Sequence, residues 1–423
     1  MSSSALRAGL SPRFATPPAA SGGVLEMITE EAGLTGPAHG ELRVTPLVEE
    51  GAQVAHGAPV ACLRHAPEIC LTAPMAATVG AIRLGPGRRM GEIVFFRESG
   101  GGRHEHALDG ALSEASLRRL MQGAGLWPLL QRRPFGNMPA PGERPAAIFV
   151  MGSDTRPFAP DPEVALNGSE RVFGEGLDAL CHLTDGPVIV CHSRAELPLG
   201  TKRAHEQVKT LRCGPRHPQG LAGMRIHSAF PAELDAPVWD IHAEDVAAIG
   251  ALLETGLVPE TRLIHVAGSA LRESRFVRTQ PGADLRGLTY GEVLPGPHML
   301  MTGSPLDGRE AHWLGTRDRQ VTVMPRGPRR RGRHWFIEAL TGSAMPRPII
   351  PTSALTHAFG GGLPAAPLAR ALAAGDDETA MKLGALSLLE EDVALADYVL
   401  GGHGTLAGAL RRMLDRTETE FAA

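Results

Sequence analysis

The pattern of apolar and polar positions changes along the chain, and each change marks a different kind of predicted structure. Short apolar runs broken by glycine fill residues 42–96 and predict hairpins, because tight turns favour residues that tolerate positive φ. From Ala146 onward, apolar runs alternate with stretches of helical spacing, which is typical of βαβ units and favours a parallel sheet. The C-terminal region keeps helical spacing and predicts a small bundle.

The α/β region begins with a predicted strand at Ala146–Met151, followed by a helix at Ser169–His182 and a strand at Pro187–Cys191. A helix across Thr201–Leu211 and a strand at Met224–Phe230 are expected next. These elements form at least one βαβ unit, so the sequence predicts a Rossmann-like sheet.

A second helix is predicted within Val238–Gly256, where Val246, Ile249 and Leu252 recur at helical spacing. Acidic residues in its first turn complement the helix dipole, and Gly256 is expected to end it. A strand at Arg262–Val266 is expected to close the α/β domain.

The glycine-broken region resembles the barrel-sandwich hybrid fold of biotinyl and lipoyl domains. In those carriers a lysine at a hairpin tip bears the cofactor. The corresponding tip here is Ala73–Val79, APMAATV, and no lysine lies near it. The carrier function is therefore excluded, and the region is interpreted as a structural β module.

A third module follows the α/β region. Arg275–Thr289 predicts a strand, a Pro–Gly turn and a short amphipathic helix, and the runs HMLMTGSPL and RQVTVMPR supply further strands. This arrangement resembles the small ubiquitin-like SLBB fold.

The first strand of the α/β region leads into a loop with Asp154 and Arg156, which is where a nucleotide site would lie. The preceding stretch GLWPLLQRRPFGNMP has Gly136 as its only glycine after Gly125. A phosphate cradle needs several converging backbone N–H groups, and glycines allow that close approach. We interpret Gly136, Asp154 and Arg156 as a vestigial nucleotide loop. Asp154 and Arg156 are expected to form an internal ion pair, the alternative being contact with a neighbouring subunit or a quinone headgroup.

Composition narrows the function classes further. The 423 residues carry a net charge of −4, which gives no basic field for nucleic acid. No apolar run reaches the length of a transmembrane helix, and the start of the chain predicts a flexible or extended lead-in without a signal-peptide core.

None of the five cysteines is in a CxxC pattern, which argues against a locally held iron–sulfur cluster. His104-Glu105-His106 has the alternate spacing of strand metal ligands, but in a polar loop it is more often simply solvated.

The densest basic stretch is PRGPRRRGRHW at Pro325–Trp335. One interpretation is a solvated loop, and the other is contact with an acidic subunit or with anionic lipid headgroups. The second interpretation assigns partner or membrane contact to six residues: Arg326, Arg329, Arg330, Arg331, Arg333 and Trp335.

The order of these modules resembles the NqrA family, the A subunits of sodium-translocating NADH:quinone oxidoreductases. Its most specific phrases here are RRPFGNMP, MGSDTRPFAPDPEV, VWDIHAEDVAAIGALLETG, RFVRTQPGADLRGLTYGEV and LLEEDVALADYV. Related RnfC proteins and the flavin-binding subunit of complex I carry a glycine-rich flavin loop and cysteine-ligated clusters, which this chain lacks. The expected fold is a multidomain α/β protein with these divisions: a lead-in (1–39), a lipoyl-like barrel-sandwich hybrid (40–100), a linker (101–145), a degenerate Rossmann-like domain (146–270), an SLBB domain (271–330), and a basic segment with a C-terminal helical bundle (331–423).

The resemblance implies a peripheral subunit on the cytoplasmic face of the inner membrane, without a transmembrane segment of its own. It implies that this chain binds no cofactor and no metal, and that partner subunits hold the flavins and the iron–sulfur cluster. The implied partners are the membrane-embedded B subunit and the other members of a six-subunit complex, with ubiquinone at an interface. The implied activity is that of the complex, NADH:ubiquinone reduction coupled to sodium transport, and no catalytic residue is assigned in this chain.

Three hypotheses remain open at the level of sequence. The chain is a subunit of the sodium pump, a diverged NqrA- or RnfC-like paralogue in another membrane-linked electron-transfer system, or a scaffold without a redox role. Because the whole architecture is kept, the first two are favoured, and neighbouring genes for the B to F subunits would separate them.

Overall fold

The computed structural model describes residues 8–37, 39–108, 113–193, 206–327, 349–401 and 404–422. Within them the chain forms four β-sheets and a C-terminal group of helices. The sheets have six, five, four and three strands. The six-stranded sheet combines a strand from the start of the chain with strands from its second half, so a module in space is not always one continuous segment of sequence.

Two small antiparallel sheets form the barrel-sandwich module. The turns at Gly51 and Gly57 have positive φ, as the hairpin pattern predicts. One sheet has the order β2-β8-β7-β4 and the other β3-β5-β6, and their core includes Val60, Ile93 and Phe95. The strands are β2 (Glu31–Thr35), β3 (Val44–Pro46), β4 (Gln53–Val54), β5 (Pro59–Leu63), β6 (Ala66–Thr72), β7 (Ala77–Gly85) and β8 (Arg89–Arg97).

The described part of the predicted lead-in is structured. Strand β1 (Ala19–Glu26) lies parallel to a strand of the third module, and β2 belongs to the barrel-sandwich module. Upstream of β1, the Leu10 N–H donates to the His217 carbonyl at 2.8 Å, and the Gly9 N–H donates to His357 Nδ1 at 3.1 Å. Of the two alternatives for the lead-in, flexible or extended, residues 8–37 are not flexible, because distant partners supply their hydrogen bonds, and Ala19–Glu26 is extended.

The five-stranded sheet is the predicted Rossmann-like sheet, with order β12-β11-β10-β13-β9. Four strands are parallel, and β9 is an antiparallel edge. Its strands are β9 (Gln131–Arg133), β10 (Ala147–Gly152), β11 (Val188–His192), β12 (Val208–Arg212) and β13 (Val238–His242). Its helices are α1 (Glu114–Gly123), α2 (Pro162–Ala165), α3 (Glu170–Cys181), α4 (Ala222–Ala229) and α5 (Ala243–Thr255).

Two of these helices pack with almost no space between their backbones. A Cβ on Gly176 of α3 would lie 2.0 Å from the Val246 carbonyl, and one on Gly250 of α5 would lie 1.8 Å from the Val172 carbonyl. As predicted, α5 ends at Gly256, which has a φ of 70°. Close packing of α3 on α5 fixes the first turn of α5 at the carboxyl edge of the sheet.

Several predictions for this region need correction. The stretch 101–145, expected as a linker with one helix at Ser113–Met121, has that helix as α1, but it also contains β9, and Leu117, Met121 and Trp127 join the same core as β10. The stretch Met224–Phe230 lies mostly in helix α4, not a strand, and the described end of Thr201–Leu211 contributes to strand β12, not a helix. In both cases tertiary packing overrides an ambiguous short apolar pattern.

The six-stranded sheet is the SLBB-like module, with order β1-β15-β14-β18-β16-β17. The strand predicted at Arg262–Val266 is present as β14 but pairs here, so it opens this module and does not close the α/β domain. The elements are β14 (Arg262–Ala267), β15 (Ser274–Thr279), α6 (Leu285–Thr289), β16 (His298–Thr302), β17 (Arg309–Glu310) and β18 (Gln320–Pro325).

The C-terminal helices form the predicted bundle around Leu368, Leu388, Val393 and Leu410. They are α7 (Ser353–Ala358), α8 (Ala365–Ala374), α9 (Asp377–Lys382), α10 (Glu390–Val399) and α11 (Thr405–Ala422). Among the residues described, no helix combines the length and apolar character needed to cross a bilayer.

Candidate functional site

A cleft of about 1550 Å³ lies along the carboxyl edge of the five-stranded sheet, where residues of all four modules meet. Open α/β sheets place their ligands at this edge, since strand ends and helix N-termini converge there. The α/β module contributes Asp154, Asp240 and His242, the SLBB-like module Asp307 and Arg317, and the bundle Glu391. The lining mixes apolar and charged side chains, and the pairing of the charged ones decides what they can bind.

Asp154 and Arg156, just beyond β10, form a close ion pair. The Asp154 carboxylate accepts hydrogen bonds from Arg156 Nε at 3.1 Å and 3.0 Å and from Nη2 at 2.6 Å. Arg156 Nη1 also lies 3.5 Å from Asp307 Oδ2, so the guanidinium bridges the α/β and SLBB-like modules. Burial acts to raise the pKa of Asp154, but the charge and hydrogen bonds of Arg156 hold it below its usual value. The carboxylate therefore stays ionised in the place where a nucleotide phosphate would approach.

Gly136 lies apart from this pair. Its N–H donates to the Arg132 carbonyl at 3.0 Å, and a Cβ at this position would lie 2.9 Å from the Leu389 side chain. With a φ of 86°, Gly136 serves the turn after β9 and the contact with the bundle. Of the three residues in the predicted vestigial loop, the structure joins Asp154 to Arg156 and gives Gly136 a separate set of contacts.

A larger cluster, which was not predicted from the sequence, surrounds Arg133 on β9. Its guanidinium donates to Asp240 at 3.2 Å, to Asp392 at 2.7 Å and to Glu391 at 3.1 Å. Asp240 also accepts from Arg317 of the SLBB-like module at 2.5 Å. We call these five residues the Arg133 cluster. In the sequence, this cluster is visible only as two adjacent arginines in an apolar stretch and as acidic residues where a helix is predicted to begin. Neither feature shows that the arginine and the carboxylates come into contact.

The charges of the Arg133 cluster do not balance, because two arginines face three carboxylates. Burial is the largest influence on Glu391 and raises its pKa to about 7, although Arg133 opposes the shift. Burial likewise raises the pKa of Asp392, whose oxygens accept N–H groups from Leu389 and Gly223. Glu391 is therefore the member of the cluster that takes up a proton near neutral pH.

A further group of charges joins the start of α5 to the SLBB-like sheet. Arg319 donates to Asp245 at 2.6 Å and lies 3.5 Å from Glu244. Burial, together with the charge of Arg319, lowers the pKa of His242 to about 3. His242 is therefore neutral, and its Nδ1 accepts the Glu244 N–H at 3.2 Å. These contacts use the helix N-terminus that could otherwise hold an anion.

The described residues contain no group of three or more His, Cys, Asp or Glu side chains placed to hold a metal ion. His104 and His106 stack edge to face at 4.7 Å, and the His106 N–H donates to the Gly256 carbonyl. This stretch ties the barrel-sandwich module to the end of α5. Cys191 is fully buried in the core of the α/β module.

Most of the basic segment lies outside the described residues, including Arg329, Arg330, Arg331, Arg333 and Trp335. Arg326 is described: its side chain pairs with Glu310, and its N–H donates to the Pro297 carbonyl at 2.8 Å. The described start of the segment, up to Gly327, therefore lies beside the exposed loop that contains Pro297.

Three parts of the chain match models of one protein family. Residues 24–97 match the NqrA N-terminal barrel-sandwich hybrid domain, residues 112–258 the NqrA second alpha/beta domain, and residues 263–312 the NQRA C-terminal domain. The chain is also 32% identical over 410 residues to the A subunit of the Na(+)-translocating NADH-quinone reductase of Photorhabdus laumondii, covering 90% of this chain and 91% of that protein. The chain belongs to the NqrA family.

Other members of the NqrA family match to the same extent. The protein of the same name from Pasteurella multocida is 33% identical, with 93% of this chain and 94% of that protein covered. Among solved structures, an NAD+-reducing [NiFe]-hydrogenase aligns with a TM-score of 0.40 and 11% identity, covering 73% of this chain and 63% of that chain. A similarity that low does not indicate a shared function.

Proposed function

We propose that this chain is the A subunit of a Na+-translocating NADH:ubiquinone reductase and that it works as a peripheral subunit without a bound redox cofactor. The proposal takes its activity from relatives that are named as the A subunits of Na(+)-translocating NADH-quinone reductases and that match the chain over nine-tenths of its length. No catalytic residue is assigned, because the proposed activity is that of the whole complex.

The observation that carries the cofactor-free role is the ion pair of Asp154 and Arg156. A phosphate bound after β10 would lie next to the ionised Asp154 carboxylate. Two negative charges side by side in a poorly hydrated cleft repel each other. Arg156 is already neutralised by Asp154 and Asp307. The ion pair thus supports a structural role for the carboxyl edge of the five-stranded sheet, where related folds bind nucleotides.

The remaining charged groups support a junction between modules. Arg133 joins β9 to the bundle, Arg317 joins the SLBB-like module to β13, and Arg319 joins it to α5. In the proposed complex, this junction holds the modules in fixed relation while flavins and the iron–sulfur cluster are carried by partner subunits. We place ubiquinone and the membrane-embedded B subunit in contact with this chain at the cytoplasmic face, with Arg326–Trp335 as the docking segment.

The test uses membranes from a strain that lacks this chain but makes the other subunits. Adding the purified full-length chain is expected to restore sodium-stimulated NADH:ubiquinone reduction, and the chain's own visible spectrum is expected to show no flavin or cluster band. A stoichiometric cofactor band would contradict the cofactor-free role. Failure to restore activity, with the chain folded and bound to the membranes, would contradict its assignment to this complex.

A further inference from the structure

Arg225 is a buried arginine without an acidic partner. Its side chain is on α4, and the residue is 3% exposed. One nitrogen donates to Gln219, while Nε and Nη1 have no hydrogen-bond partner. Within the described parts of the chain it makes no ion pair. A buried charge without a counter-charge is costly, so a nearby anion is expected.

Two thiols lie beneath this arginine. Ala222, Arg225 and Ile226 share one face of α4, since residues three and four apart lie together on a helix. Ala222 and Ile226 pack in the same core cluster as Cys191 and Cys213. Cys191 is on β11, and Cys213 follows β12, where its N–H donates to the His192 carbonyl at 2.7 Å. Arg225 therefore lies on the side of α4 that packs towards the thiols, and its charge acts on both of them.

The carboxylates near α4 are already engaged. Asp392 accepts the Gly223 N–H and pairs with Arg133, and Asp240 pairs with both Arg133 and Arg317. The groups that act on the thiols are the two sulfurs themselves, the Ser153 hydroxyl, the His192 backbone, Asp240 and Arg225. Of these, only a cysteine thiolate can supply the missing negative charge to Arg225.

We propose that Arg225 favours the thiolate form of Cys213 and thereby makes this residue a site of oxidation by small hydroperoxides. The hydrogen bond from Cys191, helped by Arg225 and Ser153, holds the pKa of Cys213 below its usual value, whereas burial raises the pKa of Cys191 well above it. In the thiolate form of Cys213, Cys191 keeps its proton and donates to it; as a thiol, Cys213 Sγ donates to the Leu211 carbonyl at 4.0 Å. The two free N–H groups of Arg225 are placed to stabilise the thiolate and then the oxygen of its oxidised form.

The reaction is a two-electron transfer with hydrogen peroxide as the oxidant. The Cys213 sulfur attacks one peroxide oxygen, an S–O bond forms and the O–O bond breaks. The second oxygen leaves with the bonding electrons as hydroxide, which takes a proton to become water. The sulfur is oxidised to a sulfenic acid and the peroxide is reduced.

Cys70 provides an internal control. It is partly exposed, whereas Cys213 is 3% exposed, yet burial and the neighbouring Cys62 raise the pKa of Cys70. If access decided reactivity, Cys70 would be oxidised first. If thiolate character decided it, a reagent as small as peroxide would oxidise Cys213 first, while a bulky maleimide would still prefer Cys70.

The experiment exposes the folded full-length chain to hydrogen peroxide and then unfolds it in dimedone, which traps sulfenic acids for peptide mass spectrometry. We expect Cys213 to be labelled faster than Cys70. Arg225→Gln is expected to slow labelling of Cys213 by about tenfold or more, the change that one pKa unit makes in the thiolate fraction. Arg225→Lys is expected to keep most of the wild-type labelling rate of Cys213. Labelling of Cys70 is expected to be the same in both variants as in the wild-type chain.

A second measurement does not depend on access or on folding of the arginine variants. As the pH is raised, the ultraviolet thiolate absorption of the wild-type chain is expected to appear at a lower pH than that of Cys213→Ser. Equal absorption in the two proteins would overturn the proposal. Faster labelling of Cys70, or unchanged labelling of Cys213 in a folded Arg225→Gln protein, would overturn it as well.

Discussion

Arg133 Nη1 and Asp392 Oδ2 lie 2.7 Å apart, although 259 positions separate the two residues along the chain. Both side chains are shielded from solvent, with exposed fractions of 1% and 0%. The bond connects the edge strand of the five-stranded sheet to the first turn of a bundle helix. Its strength therefore decides how firmly two distant parts of the chain are held together.

Removing the arginine is expected to be strongly destabilising. Arg133→Met would leave Asp392 buried without its counter-charge and Asp240 with Arg317 alone, and a broken buried pair costs about 3–5 kcal/mol. Denaturant unfolding followed by circular dichroism measures the loss. Arg144→Met is the control, because Arg144 is 38% exposed and its pairs with Glu114 and Asp185 are expected to contribute about 0–1 kcal/mol. Equal effects of the two variants would contradict a special role for the Arg133 cluster.

The ion pair after β10 is expected to be structural. Asp154→Ala should lower the thermal midpoint by a few degrees, the scale of roughly 1 kcal/mol in a domain of this size. Membrane assembly and quinone reduction should fall only in proportion to lost folded protein. Asp185→Ala, which removes an exposed carboxylate, serves as the control. A variant as stable as wild type with collapsed quinone reduction would show instead that the loop belongs to a functional site.

The raised pKa of Glu391 predicts a specific pH dependence. Burial moves the pKa from 4.5 to about 7, so between these values the folded chain holds a proton that the unfolded chain lacks. The contribution of Glu391 to the free energy of unfolding therefore decreases as the pH rises from 4.5 to about 7. Glu391→Gln should abolish this decrease and unfold at a higher temperature than wild type above pH 7, with little difference near pH 5. Glu378→Gln, at an exposed position, should follow the wild-type profile; parallel profiles for all three proteins would reject the assignment.

The docking segment is expected to bind through charge. Reversing Arg329, Arg330 and Arg331 to glutamate should release the chain from membranes, and high salt should release the wild-type chain. The control reverses Arg83, Arg88 and Arg89, three exposed arginines of one barrel-sandwich hairpin. Co-sedimentation that survives both the reversal and the salt would identify the segment as a solvated loop.

Local patterns predicted the elements well where one helix face or strand is strongly apolar. Helix α5 was predicted from the spacing of Val246, Ile249 and Leu252, and its end from Gly256. Met224–Phe230 was assigned to a strand because seven residues with several apolar positions fit either period. The structure resolves this in favour of α4, whose Ile226 and Met224 face two different cores.

Pairing between distant segments was not predictable in the same way. Arg262–Val266 was identified as a strand, but its sequence does not say which sheet it joins. Asp154 and Arg156 were placed together because they are neighbours, whereas Arg133, Asp240 and Asp392 come from separate segments. A single sequence shows that each could be charged and buried but not that they meet.

Strand β1 pairs with β15, and nearby Thr29 is bonded to Gln280, 251 positions later. During synthesis at ~5–20 residues per second, the first strand must wait on the order of ten seconds or more for its partner to be made. Through that interval the N–H and C=O groups along its unpaired edge are open to other chains. We therefore expect the nascent protein to depend on chaperones, and a fragment cut after the α/β module to aggregate unless β1 is removed with it.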